Sequence, residues 1–210
     1  DEDLILQYKF YPCKWTLSED IGWLSHEQTM EEVVYNAPDD FPGTGSSYKI
    51  QALLTCDMNG TLKQIAAVDI EIVRPPLVLV HGLFSSSDIW EGFKKHLVDN
   101  GRYESWQIWC WDYKLSNSMS FENNSQEVTT AIDRSLYKYL IMKYKAEKVD
   151  VIGHSMGGIL ARYHVQINGG ENVNKLITLN TPHWGSELGN IVVNHFPYLL
   201  GCFGWKAIGD

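Results

Sequence analysis

The chain has 210 residues, of which 44% are hydrophobic and 20% are charged, the balance of a folded globular protein and not of a disordered one. Its formal net charge is −9 and its 17 lysines and arginines are scattered, so no basic stripe is available for a phosphate backbone, which argues against nucleic acid as a partner. No apolar run reaches the ~20 residues that span a bilayer, so no transmembrane segment is predicted.

The first part of the chain, residues 1–74, consists of short alternating segments separated by turn residues. Apolar residues alternate with polar ones from Tyr48 to Leu54 and again over residues 67–73, with the sequence DMNG between the two runs. This pattern predicts a β-hairpin. The region resembles the last strands of an immunoglobulin-like sandwich, with Tyr48 at the position of a tyrosine corner.

The four cysteines are Cys13, Cys56, Cys110 and Cys202. They form no CxxC pair and have no metal-ligand spacing, so they predict no metal site. We interpret them as small buried apolar residues. A bond between Cys13 and Cys56 in an oxidising compartment is the alternative, because spacing alone fixes no connectivity.

A break at Arg74-Pro75-Pro76 predicts a domain boundary, since two prolines cannot continue a strand ladder. From residue 75 to residue 210, strand-like and helix-like segments alternate, which predicts an α/β fold with a mostly parallel sheet. The expected elements are a buried strand at 77–80, a helix capped by Asp88, a strand within 106–113, a helix over 125–144, a strand at 149–152, a helix opening at Ser155 and a strand at 175–180.

Three of these strands are followed by unusual sequences, namely HGLF (81–84), GHSMGG (153–158) and NTPHWGS (180–186). Because ligands bind at the carboxyl ends of parallel strands, we expect the three segments to meet at one site.

Ser155 is the candidate nucleophile of that site. Gly153, His154 and Gly157 complete a G-x-S-x-G turn around it, with a buried strand before the turn and a helix after it. The flanking glycines let the strand and helix approach, and the helix N-terminus favours the negative charge that develops on acylation. The alternative is a glycine-rich turn with an incidental serine.

An oxyanion needs two donors aimed at one oxygen. The backbone N–H groups of Met156 and Leu83 are the candidates, with Gly82 allowing the chain to turn. We interpret His81 as a residue that fixes this loop by hydrogen bonds, without a role in proton transfer.

The sequences LVLVHGLF, VDVIGHSMGGILARYH and LITLNTPHWGSELG resemble, in this order, the α/β-hydrolase lipases and esterases, near the bacterial triacylglycerol lipases and the GPI-inositol-deacylase-like group. The resemblance implies an α/β-hydrolase three-layer sandwich that hydrolyses carboxylic esters through an acyl-enzyme on Ser155. It implies an ester or lipid substrate, no cofactor, and an apolar lid that begins at about residue 187. Since the chain is acidic, any interfacial contact with lipid is expected to be apolar.

The family order places the acid and the histidine of the triad after the nucleophile. His164 lies nine residues along the nucleophile helix, about 13 Å away, and cannot be the base. We interpret His183 as a supporting residue outside the reacting atoms, with the role of base as the alternative, and His195 as part of the lid. The triad acid and histidine are therefore unassigned, and we expect the hydrolase domain to be incomplete and continued in a longer polypeptide.

Two other functions are compatible with these residues. One is an acyltransferase that uses the same acyl-enzyme, and the other is a binding or surface module in which the hydrolase portion is idle. The sandwich-like N-terminal region also suggests an extracytoplasmic or secreted protein.

Overall fold

The computed structural model describes residues 12–25, 33–116, 121–167, 169–185 and 187. The chain divides into two compact units, residues 1–73 and residues 74–210, which we call the N-terminal and C-terminal units. The C-terminal unit thus begins at Arg74, one residue before the expected position.

Antiparallel strands build the described part of the N-terminal unit. In chain order they are β1 (Cys13–Leu17), β2 (Trp23–Leu24), β3 (Tyr35–Asn36), β4 (Ser47–Met58) and β5 (Thr61–Val73). One sheet has the order β1-β4-β5, and β2 and β3 pair separately. The unit is β-rich, as the alternating sequence predicts.

The hairpin between β4 and β5 turns at Asn59 and Gly60. Both residues have positive φ angles, 59° and 84°, and Met58 pairs directly with Thr61 across the turn. A two-residue hairpin needs positive φ at both central positions, and Asn-Gly is the pair that adopts them most readily. The turn predicted from DMNG is confirmed.

Cys13 and Cys56 form a disulfide between β1 and β4. The interpretation of these two residues as unpaired is therefore wrong. The reason is the strand register, which places them directly opposite each other and which cysteine spacing does not reveal.

Tyr48 does not form a tyrosine corner. Its hydroxyl donates to Oε2 of Glu19 at 2.7 Å, whereas the corner requires a bond to an upstream backbone group. The expectation for this residue is wrong, because a nearby carboxylate competes for the hydroxyl.

Strands and helices alternate in the C-terminal unit. They are β6 (Leu77–Val80), α1 (Glu91–Asp99), β7 (Ile108–Trp111), α2 (Phe121–Ile141), β8 (Val149–His154), α3 (Met156–Ile167) and β9 (Val173–Leu179). The four strands described in this unit form a parallel sheet in the order β7-β6-β8-β9. The predicted α/β architecture is confirmed.

The strand ends are level with one another. Val80, the last residue of β6, pairs with Trp111 of β7 and with Gly153 of β8, and His154 pairs with Leu179 at the end of β9. The segments that follow these strands therefore leave the sheet at one edge, where the sequence predicts the site.

The core lies on both faces of this sheet. Val78 and Val80 of β6 pack with residues of α2 and α3 on one face, while Leu77 and Leu79 pack with Trp90 on the other. All four β6 residues are buried, which is why the strand reads as a continuous apolar run.

The boundaries of α1 and α2 differ from those expected, and α2 begins at Phe121, four residues before the expected residue 125. Asp88 lies inside a 3₁₀ turn, Ser87–Trp90, that precedes α1, so it does not cap the α-helix. α2 ends at Ile141 because Lys143 adopts a left-handed conformation, with φ of 66°, that stops the helix. None of the helices among the described residues is both long and apolar enough to cross a membrane.

Candidate active site

Ser155 occupies the sharp turn between β8 and α3. Its φ angle is 53°, in the left-handed region that a residue with a side chain adopts at a cost. The turn is held by its backbone: the Ser155 N–H donates to the carbonyl of Leu179 at 2.9 Å, and the Ser155 carbonyl accepts from the Gly158 N–H at 3.1 Å. The candidate nucleophile thus carries backbone strain.

The glycines around Ser155 are required by close backbone approach. A β-carbon on Gly153 would lie 2.5 Å from Cα of Gly158, and one on Gly157 would overlap the carbonyl oxygens of Val80 and His81. Backbone atoms cannot swing aside as the end of a side chain can. The G-x-S-x-G pattern therefore has a direct steric cause in this fold.

Ser155 is a half-buried residue at the edge of the sheet. Within the described ranges, no histidine or carboxylate hydrogen-bonds to its Oγ. The geometry leaves Oγ available to a ligand, and the described residues supply no base for it.

The loop after β6 lies directly against this serine. A β-carbon on Gly82 would stand 2.9 Å from Cβ of Ser155 and 3.1 Å from the carbonyl oxygen of His154. Leu83 follows Gly82 directly and therefore belongs to the loop that contacts the turn.

Two backbone donors flank the turn without acceptors. Neither the N–H of Leu83 nor that of Met156 has a hydrogen-bond partner in the part of the chain that the structure describes. Met156 is the first residue of α3, where N–H groups have no intrahelical partner and the helix dipole is positive. Such donors are suited to binding an anion.

His81 is fully buried and holds the loop in place. Its Nε2 accepts from the backbone N–H of Tyr113 at 3.3 Å, and we assign the proton to Nδ1, which donates to the carbonyl of Gly82 at 2.9 Å. Oδ1 of Asp112 lies 3.4 Å from the same Nε2. The two hydrogen bonds of His81 hold the loop at Gly82, the residue that lies against Ser155.

Sequence reasoning did not single out Tyr113, which completes this anchor. Its ring stacks on His81 with centroids 4.1 Å apart, and its hydroxyl donates to the carbonyl of His81 at 2.5 Å. Burial raises the pKa of this hydroxyl far above its ordinary value, so it remains a donor. The available signal was its position just after β7, at the same edge of the sheet.

His154 precedes the candidate nucleophile and has a half-buried side chain. Its Nδ1 is buried and has no hydrogen-bond partner among the described residues. A β-carbon on Gly82 would stand 3.4 Å from this nitrogen. The ring therefore adds to the crowding that favours glycine at position 82.

His183 is exposed after β9 and is engaged on both sides. Nη1 of Arg162 lies 3.4 Å from its Nδ1, and Oγ1 of Thr178 lies 3.0 Å from its Nε2. Neither contact involves Ser155. The ring links α3 to β9.

His164 is buried away from the turn, where Oγ1 of Thr129 lies 2.9 Å from its Nδ1 and Oδ1 of Asn172 lies 3.1 Å from its Nε2. The lid-like segment expected from about residue 187, with His195 in it, lies outside the described residues apart from Glu187. In the described ranges, no group of three or more His, Cys, Asp and Glu side chains is arranged to hold a metal ion.

Large apolar side chains surround this edge of the sheet. Phe84, Leu115 and Trp184 follow β6, β7 and β9 respectively, and they are 67%, 96% and 103% exposed. Each of the three follows a strand that ends at the edge of the sheet where Ser155 lies.

Comparison with known proteins agrees with this geometry. Residues 75–203 match the family model described as alpha/beta hydrolase fold. The match covers more than half of the chain and includes Leu83, Ser155 and Met156.

Three curated proteins are similar to this chain. The triacylglycerol lipase of Burkholderia plantarii is 28% identical over 135 residues, covering 61% of this chain and 35% of that protein. The triacylglycerol lipase of Pseudarthrobacter phenanthrenivorans is 29% identical over 126 residues, covering 57% of this chain and 36% of that protein. The lysosomal thioesterase PPT2 homolog of Drosophila melanogaster is 26% identical over 134 residues, covering 64% and 41%. The matches thus extend over about a third to two fifths of these relatives' length.

Proposed function

Because this chain belongs to the alpha/beta hydrolase fold family, we propose that it hydrolyses carboxylic esters through an acyl-enzyme on Ser155. The observation that carries the proposal is the strained conformation of Ser155, at φ of 53°, beside two backbone N–H groups that have no acceptor among the described residues. A strained residue is retained where the strain serves function.

In the proposed reaction, Oγ of Ser155 attacks the carbonyl carbon of the ester while its proton passes to a base. The N–H groups of Leu83 and Met156 stabilise the negative oxygen of the tetrahedral intermediate. Collapse of the intermediate breaks the bond to the alcohol, which leaves with the proton from the base. Water then attacks the acyl-enzyme in the same way, releasing the carboxylic acid and restoring Ser155.

The described residues do not identify the base that takes the proton from Ser155. The described contacts of His81, His164 and His183 are all to groups other than Ser155. The proposal therefore assigns the role of base to a histidine outside the described residues, with an acid to orient it.

An apolar acyl group is the proposed substrate feature. Phe84, Leu115 and Trp184 would contact such a chain around the site, and two of the similar proteins are named triacylglycerol lipases. These observations support a lipid ester in preference to a small polar one.

A thioester is the second candidate substrate, favoured by the similarity to a protein named as a thioesterase. The same serine chemistry would apply, because a thioester also passes through a tetrahedral oxyanion. Matched oxygen and sulfur esters of one fatty acid distinguish the two substrates by their kcat/KM ratio.

The test is hydrolysis of p-nitrophenyl esters of increasing chain length by the native protein and by Ser155→Ala. We expect activity that rises with chain length and falls by about 10⁴-fold or more in the variant. Product analysis with an added alcohol checks for acyl transfer in place of hydrolysis. Equal activity of the two proteins would overturn the role of Ser155.

We propose, further, that the protein works outside the cytoplasm. The Cys13–Cys56 disulfide supports this location, since such bonds persist in oxidising compartments. Thiol alkylation before and after reduction, on protein from its natural source, tests the proposal. Labelling of both cysteines without reduction would contradict it.

A further inference from the structure

The outer face of the last turns of α2 is apolar and exposed. Tyr137, Leu140, Ile141 and the following Met142 are 63%, 67%, 59% and 42% exposed. Residues three and four positions apart are neighbours on a helix, so Tyr137, Leu140 and Ile141 share one face, and Met142 follows directly at the end of the helix. We call these four residues the α2 patch.

The patch is not part of the core stripe of α2. Val128, Ile132 and Tyr139 are the buried side of the helix, and the outer side closer to its N-terminus carries polar residues such as Gln126 and Asp133. The outer face of α2 changes from polar to apolar along its length. Packing of the helix on the core does not require this change, because the patch lies on the exposed side.

Lysines accompany the patch in the sequence. Residues 137–148 contain one glutamate, Glu147, and four lysines, Lys138, Lys143, Lys145 and Lys148. The local net charge is therefore +3 in a chain whose total is −9. Glu147 pairs with Lys145 at 3.0 Å, which leaves the other three lysines with no ion pair among the described residues.

Lys143 is retained at a position that suits glycine. Its φ angle is 66°, and its N–H closes the helix by donating to the carbonyl of Leu140 at 3.0 Å. Glycine is the usual residue at such a helix end because it has no β-carbon. Lysine here costs stability, which is consistent with a use for its charge.

Aromatic packing fixes the segment that carries these lysines. Tyr144 stacks on Trp106 at 5.5 Å between ring centroids and contacts Tyr139 at 6.2 Å. The Tyr139 hydroxyl donates to the carbonyl of Arg74 at 2.8 Å. The apolar patch and its lysines are therefore held in one arrangement before any partner binds.

We propose that the α2 patch and its lysines bind the surface of an anionic lipid bilayer. Apolar side chains that enter the headgroup boundary, flanked by lysines that attract anionic lipids, are the combination that recognises such a surface. The positive charge beside the exposed apolar side chains favours an anionic bilayer over the uncharged surface of a partner protein. Under this proposal the lipid contact is electrostatic as well as apolar, which differs from the expectation based on the net charge.

This surface is separate from the candidate active site. α2 precedes the start of β8, whereas Ser155 follows its end. A strand of six residues is about 20 Å long, so the two sites lie at opposite ends of β8. A membrane bound at the α2 patch would leave the edge of the sheet with Ser155 open to substrate.

Sedimentation with phosphatidylcholine vesicles, with and without phosphatidylserine, tests the proposal on the native protein. We expect binding only to vesicles that contain phosphatidylserine, and release at high salt. Leu140→Ser/Ile141→Ser should abolish binding without lowering the melting temperature, because both side chains are exposed. Lys143→Gly/Lys148→Gln should weaken binding about fivefold for each lysine removed.

Two controls make the result specific. Lys63→Gln/Lys95→Gln removes two exposed lysines elsewhere and should bind as the native protein does. Trp184→Ser alters the apolar edge near Ser155 and should also leave binding unchanged. The proposal is overturned if the native protein does not sediment with vesicles that contain phosphatidylserine. It is also overturned if Trp184→Ser abolishes binding and Leu140→Ser/Ile141→Ser does not.

Discussion

Gly82 lies directly against Ser155: a β-carbon at position 82 would stand 2.9 Å from Cβ of the serine. The loop after β6 and the turn after β8 are thus fitted to each other through a residue without a side chain. Leu83, the next residue, depends on this contact for its position beside the turn.

Gly82→Ala should therefore lower esterase activity. The added methyl group pushes the loop away from Ser155 and displaces the Leu83 N–H, and loss of one oxyanion donor costs about 10²–10³-fold in kcat. Steady-state kinetics with a soluble ester measures the effect. Gly92→Ala is the matched control, since its added β-carbon would meet no atom within 4 Å outside its chain neighbours and the backbone of its own helix. Unchanged activity of Gly82→Ala would refute the fit described here.

Tyr113→Phe should loosen the same loop from the other side. The variant loses the hydroxyl that donates to the carbonyl of His81, and we expect the free energy of unfolding to fall by about 1–2 kcal/mol together with kcat. Urea denaturation and ester hydrolysis measure the two effects. Tyr137→Phe, at an exposed tyrosine, should change neither; equal behaviour of the two variants would count against the anchoring role of Tyr113.

Removing the Cys13–Cys56 disulfide should destabilise the N-terminal unit. The bond joins residues 43 positions apart, and a closed loop of that length stabilises by about 4 kcal/mol in the chain-entropy model. Hydrogen exchange in β1 and β4 should accelerate in Cys13→Ser/Cys56→Ser, and reducing agent should have no further effect on this variant. Unaltered exchange would show that the bond contributes little.

Asp150 should make stability depend on pH. Burial is the main cause that raises its pKa above the ordinary 3.8, although Asn174 donates a hydrogen bond to it. The folded state therefore holds the proton more tightly than the unfolded chain, so stability falls as pH rises from 3.8 through the raised pKa and stays lower above it.

Asp150→Asn removes this charge and can still accept from Asn174. We expect the free energy of unfolding of the variant, minus that of the native protein, to be larger at pH 7 than at pH 4. Urea denaturation of both proteins at both pH values measures this difference. A stability difference that does not change with pH would exclude Asp150 as the cause.

Much of the site followed from local sequence. The strand at Leu77–Val80 was predictable because both of its faces are buried, and the Ser155 turn because its flanking glycines meet backbone atoms. Such constraints act between neighbours in sequence or through strict steric limits, so they leave a readable pattern.

Other features depend on tertiary register and could not be predicted. The pairing of Cys13 with Cys56 follows from which residues of β1 and β4 face each other. The contact of Tyr113 with His81 joins residues 32 positions apart, and the start of α1 is set by a 3₁₀ turn that helix-capping rules do not anticipate. The pairing of the two cysteines and the 3₁₀ turn leave no local signal, and the position of Tyr113 just after β7 does not reveal its partner.

Fluorophosphonate labelling of the full-length native protein, followed by mass mapping of the modified peptide, tests the role of Ser155 most directly. The proposed function predicts one adduct, on Ser155, that is absent from Ser155→Ala while both proteins remain folded. An adduct on another serine, or no adduct on a folded protein, would contradict the assignment of Ser155 as the nucleophile of an ester hydrolase.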